Sequence, residues 1–184
     1  TRLVSLMMTR GVLEAKLAVV TTDYDFQGLW LSSAFNHFFV ARHETKAHMV
    51  AIGVPADRIT VSGIPVRTGL GDPVDREAVL QRYDLRTDRL VLLISAGAAG
   101  GAYTQTIVQQ TLRMSNDFQA VVVCGRNDHL KRQIEGLVAF ERNRYRILGY
   151  TNDMPDLIRT ATLFVGKPGG LSSSECMAAG LPMV

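Results

Sequence analysis

The run LVLLISAG, residues 90–97, holds no polar side chain until Ser95. Successive side chains of a strand point to opposite faces, so a strand with one wet face alternates polar and apolar residues. A strand without that alternation is covered on both faces, the habit of parallel sheets flanked by helices. QAVVVCG (119–125) repeats the pattern, and YRILGY (145–150) and TLFVG (162–166) carry shorter versions of it. Between them lie segments with helical spacing: TQTIVQQTLRM (104–114), DHLKRQIEGL (128–137), MPDLIRTA (154–161) and SSSECMAAG (172–180), with LPMV (181–184) reading as a further strand. Strands alternating with short helices predict an α/β chain, a parallel sheet with helices on both faces.

The first third follows the same rhythm less cleanly. LAVVTTD (17–23) and HFFVA (37–41) read as strands, HETKAHMVAIG (43–53) as a helix ended by Gly53, and RITVSGIPV (58–66) as a strand running into a turn. RTGLGDP (67–73) has linker composition, followed by the weakly helical REAVLQRYDL (76–85). The expected organisation is therefore residues 1–66 as part of one domain, 67–89 as linker and first helix of the next, and 90–184 as a second domain. The chain opens on Thr1 and closes on what reads as the start of a strand, so it is expected to be a fragment cut at both ends.

In open α/β sheets, ligands sit outside the carboxyl ends of the strands. Two loops at such ends stand out. SAGAAGGAYT (95–104) offers Gly97, Ala98 and Gly100 between a strand and a helix, a place where backbone amides and a helix N-terminus favour phosphate. Its G-x-x-G-G spacing departs from G-x-G-x-x-G, and Cys124 and Gly125 stand where a ribose-binding acid would be, so the dinucleotide fingerprint fails and a plain βα turn is the competing reading. The second loop, GKPGGLSSSE (166–175), places Gly169 and Gly170 ahead of Leu171, Ser172 and Ser173 at a helix start, with Lys167 available to pair with an anion. Ser172 and Glu175 also have the spacing of a capping box, in which Glu175 reaches back to the Ser172 amide. A phosphate at this helix start would repel Glu175, which is instead suited to accept hydrogen bonds from a neutral diol such as a ribose. Arg126, after VVVCG, lies at another strand end within reach of an anionic ligand, or is a solvated surface charge.

Other chemistries find little support. The four histidines have no metal-ligand spacing, and no Ser-His-Asp set or G-x-S-x-G elbow is present. Asp23 and Asp25 follow a strand end, where either catalytic or turn-forming roles fit. Cys124 and Cys176 sit in apolar runs without C-x-x-C spacing and read as reduced, buried thiols of a cytosolic protein. Aromatic content of 7% argues against a stacking platform for single-stranded nucleic acid, and a net charge of +3 is compatible with an anionic small ligand or membrane surface. No run reaches the ~18 apolar residues of a membrane span.

VTTDYDFQGLW, GIPV, LLISAGAAGG, VVCGRNDHL, RILGYTNDMPDLI and GKPGGLSSSECMAAGLPMV occur in an order that resembles the monogalactosyldiacylglycerol synthases and processive diacylglycerol glucosyltransferases, relatives of the transferase that adds N-acetylglucosamine to lipid I. The resemblance covers nearly the whole chain. It implies a GT-B glycosyltransferase of two Rossmann-like domains, the second binding a UDP-sugar. It further implies that the loop with Gly97, Ala98 and Gly100 flanks the diphosphate. The backbone at Gly149 and Tyr150 would hold uracil, with Arg126 close to the nucleotide. Gly169, Gly170, Leu171, Ser172 and Ser173 would border the phosphates, and Glu175 would bind the ribose. The implied reaction is inverting transfer of a hexose from UDP-glucose or UDP-galactose to diacylglycerol or a related lipid. It needs no metal or other cofactor, and it takes place peripherally at the cytosolic membrane face. A UDP-N-acetylglucosamine 2-epimerase and a non-catalytic nucleotide-sugar binder are the alternatives. Three departures from the family pattern stand out. Gln27 replaces a usual histidine, and AGAAGG is less glycine-rich than usual. The chain also stops before the Pro-Gly-Gln-Glu-type motif, so the fragment is expected to be inactive alone.

Overall fold

A computed structural model describes residues 1–32, 34–97 and 103–184. The expectations for Ala98 and Gly100 therefore lie outside the described residues. The chain divides into two compact units, Thr1–Pro65 with Gly169–Ser174, and Val66–Pro168 with Glu175–Val184.

In the first unit, α1 (Arg2–Thr9) precedes three parallel strands, β1 (Ala18–Val20), β2 (His37–Val40) and β3 (Ile59–Val61), in the order β1-β2-β3. Parallel neighbours need a crossover, and α2 (His43–Ala51) supplies the one from β2 to β3. Phe26, Phe38, Val40, Met49, Val54 and Ile59 form the core, with Phe26 and Phe38 meeting edge to face at 6.3 Å between ring centroids. No element was expected over residues 2–9, where the structure has α1. It is eight residues long, with Val4, Met7 and Met8 half-buried at helical spacing beside the buried Ser5, while Leu3 and Leu6 are exposed.

The second unit begins with α3 (Arg76–Arg82). It continues through β4 (Leu90–Ser95), α4 (Tyr103–Leu112), β5 (Phe118–Val123), α5 (Asp128–Leu137), β6 (Tyr145–Leu148), α6 (Met154–Thr160) and β7 (Leu163–Gly166); of α7 (Gly170–Ala178), the residues up to Ser174 belong to the first unit and those from Glu175 to the second. The four strands are parallel in the order β6-β5-β4-β7. The unbroken apolar runs are explained by two cores, one on each face. Val91, Leu93, Val121 and Val123 enter one with Leu80, Leu157 and Phe164, while Ile94, Ala120 and Val122 enter the other with Val108, Leu130 and Ile134. Leu70, within the linker-like RTGLGDP, is buried in the first of these cores, so that segment is folded onto the second unit. The expected strand at 181–184 is reduced to a parallel bridge between Met183 and Phe164.

This topology positions a site. The chain leaves β4 toward β5 and β6 on one side, and β7 returns to the other side of β4. The carboxyl ends of β4 and β7 thus form the switch point at which open α/β sheets bind ligands. Gly166 ends β7 with its backbone against Ser95 at the end of β4. A Cβ at Gly166 would lie 3.0 Å from the Ser95 carbonyl oxygen and 2.9 Å from the Phe164 ring, so no larger residue fits this seam unchanged.

Candidate nucleotide-binding elements

Along the carboxyl edge of the second unit, three strands lead within two residues to a glycine. Gly97 follows β4, Gly125 follows β5 and Gly149 follows β6. A Cβ on Gly125 would lie 3.6 Å from the Gly97 carbonyl oxygen, and one on Gly149 would lie 3.7 Å from that of Gly125. The three loops therefore approach one another backbone to backbone, forming a floor that Lys131 borders, its Cδ 3.8 Å from the Cβ position of Gly149. Arg126 and Tyr150 rise from it, with Arg126 Cζ 5.2 Å from the Tyr150 ring centroid. Lys167 is exposed and has no ion-pair partner among the described residues. Cys124, which stands where a dinucleotide site would carry an acid, is free and fully buried, and burial pushes its thiol up to about 11, so it is an inert packing residue.

Of the helices that follow strands of this sheet, α5 and α7 start differently. At α5, Asn127 accepts a hydrogen bond from the Leu130 amide at 2.9 Å, and Asp128 adds a negative charge in the first turn. That helix end is satisfied by its own sequence. An Asn127→Ala variant is expected to lose about 1 kcal/mol of stability, and Asn127→Gly only a few tenths, in urea denaturation. At α7 the helix begins at Gly170, two residues before the Ser172 that a capping box would require. The amide of Ser173 makes the first helical bond, to Gly169 O at 2.9 Å. Gly169 has no side chain with which to cap. The amides of Gly170, Leu171 and Ser172 have no acceptor among the described residues. The capping-box reading is thus corrected: Ser172 is inside the first turn, and the Glu175 carboxylate makes no hydrogen bond among the described residues. Burial raises the Glu175 carboxyl above its ordinary value, partly countered by the charge of Arg67. Three free amides at a helix start attract an anion, while a free carboxylate one turn later on the same helix accepts hydrogen bonds from hydroxyls.

The first turn of α7 is fixed within the first unit. Ser174 Oγ hydrogen-bonds the Tyr24 hydroxyl at 2.8 Å, and the Tyr24 carbonyl accepts from Thr45 Oγ1 at 2.7 Å and Arg42 Nε at 2.9 Å. Gly170 stands so close to Thr22 that a Cβ would fall 1.9 Å from the Thr22 carbonyl oxygen. Thr22 and Tyr24 were not singled out in the sequence, where the flanking Asp23 and Asp25 drew attention instead. Neither a backbone carbonyl nor a single hydroxyl contact leaves a spacing pattern. Gln27, at the position where the resembled family has histidine, is exposed, and its side-chain amide approaches Asp23 Oδ2 at 3.5 Å. Among the described residues no group of His, Cys, Asp and Glu is arranged to hold a metal ion.

A cleft of about 510 Å³ lies elsewhere, beside the amino end of β6, lined by Asp84, Glu135, Arg142 and Arg146. Its Arg146 guanidinium is consumed internally, donating to the carbonyls of Tyr83, Asp84 and Arg142 and pairing with the Asp84 carboxylate. Glu135 there pairs with Lys131, while the exposed Arg142 guanidinium has no partner among the described residues. The cleft lies at the amino end of the strands, and the loops at their carboxyl ends, where open α/β sheets bind ligands, remain the candidate.

Comparison with known proteins gives a consistent placement. Residues 1–66 match the family model described as monogalactosyldiacylglycerol (MGDG) synthase, and residues 91–184 match the glycosyltransferase family 28 C-terminal domain. A processive diacylglycerol beta-glucosyltransferase of Bacillus licheniformis is 32% identical over 165 residues, covering 90% of this chain and 43% of that protein. The chain therefore spans less than half the length of the curated relatives it matches. Among solved structures, Anabaena HepE in complex with UDP-glucose superposes with a TM-score of 0.63 at 17% identity, covering 98% of this chain and 56% of that one. The UDP-GlcNAc 2-epimerase of Neisseria meningitidis, bound to UDP-GlcNAc, gives 0.52 at 14% identity over 81% and 43%. Both likenesses establish the fold, the GT-B arrangement expected from the sequence.

Proposed function

This chain belongs to the family of the glycosyltransferase family 28 C-terminal domain, and from that membership we propose that its parent protein moves a hexose from a UDP-sugar to diacylglycerol or a related lipid. The observation that carries the reading is the start of α7, where uncapped amides at Gly170, Leu171 and Ser172 are followed by the unengaged carboxylate of Glu175. Amides for the diphosphate and a carboxylate for the ribose diol together describe a nucleoside diphosphate. Gly97, Ala98, Gly100 and Lys167 contribute to the phosphate side, Gly149 and Tyr150 to the base, with Arg126 close to the nucleotide, and Gly169 and Ser173 to the approach of the phosphates. Residues 1–66 then belong to the acceptor side, 67–89 connect, and 90–184 bind the nucleotide.

In the proposed reaction a base on the acceptor side removes the proton of the lipid hydroxyl. The resulting oxygen attacks the anomeric carbon on the face opposite UDP, the bond to UDP breaks, and the configuration inverts. The negative charge that develops on the departing diphosphate is met by the amides and partial positive charge at the start of α7. The name of the Bacillus relatives supports a lipid acceptor and UDP-glucose as the first donor to test, with UDP-galactose as the second. No described helix is long and apolar enough to cross a membrane, and the proposal places the protein peripherally at the cytosolic face, where lipid acceptor and soluble donor meet.

Titration of UDP into the protein tests the nucleotide half. Saturable binding is expected, and a folded sample that takes up no UDP at millimolar concentration defeats the reading. The transfer half is tested with the full-length protein by measuring UDP release from UDP-glucose or UDP-galactose with and without diacylglycerol. The fold is shared with a 2-epimerase, so epimerisation is the second reading, and release of UDP that requires lipid decides against it. Glycosyl transfer would equally dispose of a non-catalytic binder.

A further inference from the structure

Two arginines of the second unit lie over aromatic rings, and they are held very differently. Arg144 Cζ sits 3.8 Å from the Phe118 centroid, and its Nη2 donates to the carbonyls of Met114 and Asn116, each at 3.0 Å. It is a rivet, with the guanidinium fixed by carbonyls and ring together. Arg126 lies 5.2 Å from the Tyr150 centroid, and among the described residues it has no hydrogen bond and no carboxylate partner. The ring beneath it is 61% exposed, and its hydroxyl donates to Asn152 Oδ1 at 3.2 Å, which steadies the ring from its far edge. The two residues stand on the ends of neighbouring strands, each directly after a glycine, and those two loops meet through their backbones. A steadied, exposed aromatic face at a strand end thus carries a guanidinium that, among the described residues, no hydrogen bond or carboxylate holds.

A guanidinium and a pyrimidine base are both flat, and both stack on an aromatic face. We propose that Arg126 is a placeholder on Tyr150: the nucleobase takes over the ring face, and the displaced guanidinium turns to the phosphates of the same nucleotide. The inference rests on the UDP-sugar reading above and adds to it an exchange that couples base binding to charge neutralisation. The exchange is favourable for physical reasons. An exposed cation–π contact biases an equilibrium by only about two- to five-fold. A charge-assisted bond from guanidinium to phosphate is stronger and, for arginine, can be bidentate. Gly97, Gly125 and Gly149 put no side chain of their own in the way of the swing, and Lys131, which borders Gly149, pairs with Glu135. Arg126 is on this account a positioning residue.

The placeholder makes a prediction of opposite signs that a merely structural role does not. Calorimetric titrations of uridine, which carries the base without the charge, and of UDP are made on wild-type protein, Arg126→Ala and Tyr150→Leu. Arg126→Ala is expected to bind uridine about two- to five-fold more tightly, because the ring is vacated. The same variant is expected to bind UDP about ten-fold more weakly, because a phosphate partner is gone. Tyr150→Leu is expected to weaken both ligands by about five-fold or more. Wild-type protein that binds UDP while Arg126→Ala shifts uridine and UDP in the same direction, or shifts neither, overturns the placeholder and leaves the nucleotide reading standing. Wild-type protein that binds no UDP overturns both. Both side chains are exposed, so the variants are expected to keep the wild-type urea midpoint, which checks that binding rather than folding has changed.

Discussion

Gly170→Ala will destabilise the protein and weaken UDP binding, whereas Gly169→Ala, one residue earlier, will leave stability within about 0.5 kcal/mol and weaken UDP alone. The two glycines look equivalent in the sequence, yet they are needed for different reasons. At Gly170 an added methyl falls 1.9 Å from the Thr22 carbonyl oxygen, 2.9 Å from its carbonyl carbon and 3.0 Å from the Ile64 side chain. Two of these atoms are backbone, so no rotamer change relieves the overlap. The first turn of α7 must move away from the loop after β1, at the expense of the Ser174–Tyr24 hydrogen bond. Overpacking of this kind costs about 1–3 kcal/mol and occasionally more, and a contact this short against backbone belongs at the upper end. Around Gly169 a methyl meets nothing within 4 Å. The protein itself gives no reason for a glycine there, and the proposed phosphate does. Urea denaturation and UDP titration of both variants make the check. Equal stability of the two would show that the crowding at Thr22 relaxes freely, and unchanged UDP affinity in Gly169→Ala would remove the phosphate from that position.

Most of the second unit was legible because its residues carry their instructions locally. β4 and β5 have no wet face to encode, so their composition alone announces a covered parallel sheet, and the helices between them keep their apolar spacing. What the sequence could not convey was contact between distant segments. The capping-box reading of Ser172 and Glu175 relied on spacing, but the helix starts at Gly170, where the first turn is held by Tyr24 and fitted against Thr22. Gln119 is another case. It reads as the polar start of a strand, yet it is buried, with its side-chain amide accepting from the Arg86 amide and donating to the Arg86 carbonyl across the sheet's lower edge. The candidate site divides the same way. Glycines at strand ends were visible as a pattern, while the Arg126–Tyr150 stack joins residues 24 positions apart and appears only once β5 and β6 are paired.

Glu175→Gln is expected to make the protein more stable at neutral pH and worse at binding UDP. The Glu175 carboxyl titrates above its ordinary value because burial penalises the ionised form, with Arg67 countering in part. With the folded pKa raised above the unfolded one, the native state binds more protons than the unfolded state between the two values. Stability therefore falls as pH rises through the folded pKa and is fully present below the unfolded one, about 4.3. At pH 7 the ionised side chain is held at a cost that glutamine does not incur. The urea midpoint of Glu175→Gln should exceed that of wild type at pH 7, and the gap should close as pH approaches about 4. Arg67→Ala in the wild-type background should widen it. A gap that grows on acidification would mean that the carboxylate is stabilised by a partner in the fold. Binding should move the other way. Removing a charged acceptor from two hydroxyl groups costs about 1.5–3 kcal/mol, so Glu175→Ala should weaken UDP by about ten- to a hundred-fold. Pyrophosphate, which lacks the ribose, should lose little, and equal losses for both ligands would assign Glu175 to the helix rather than to the ligand. A side chain that burdens the fold at neutral pH, makes no hydrogen bond among the described residues and stands one turn after three free amides has its use in what binds there.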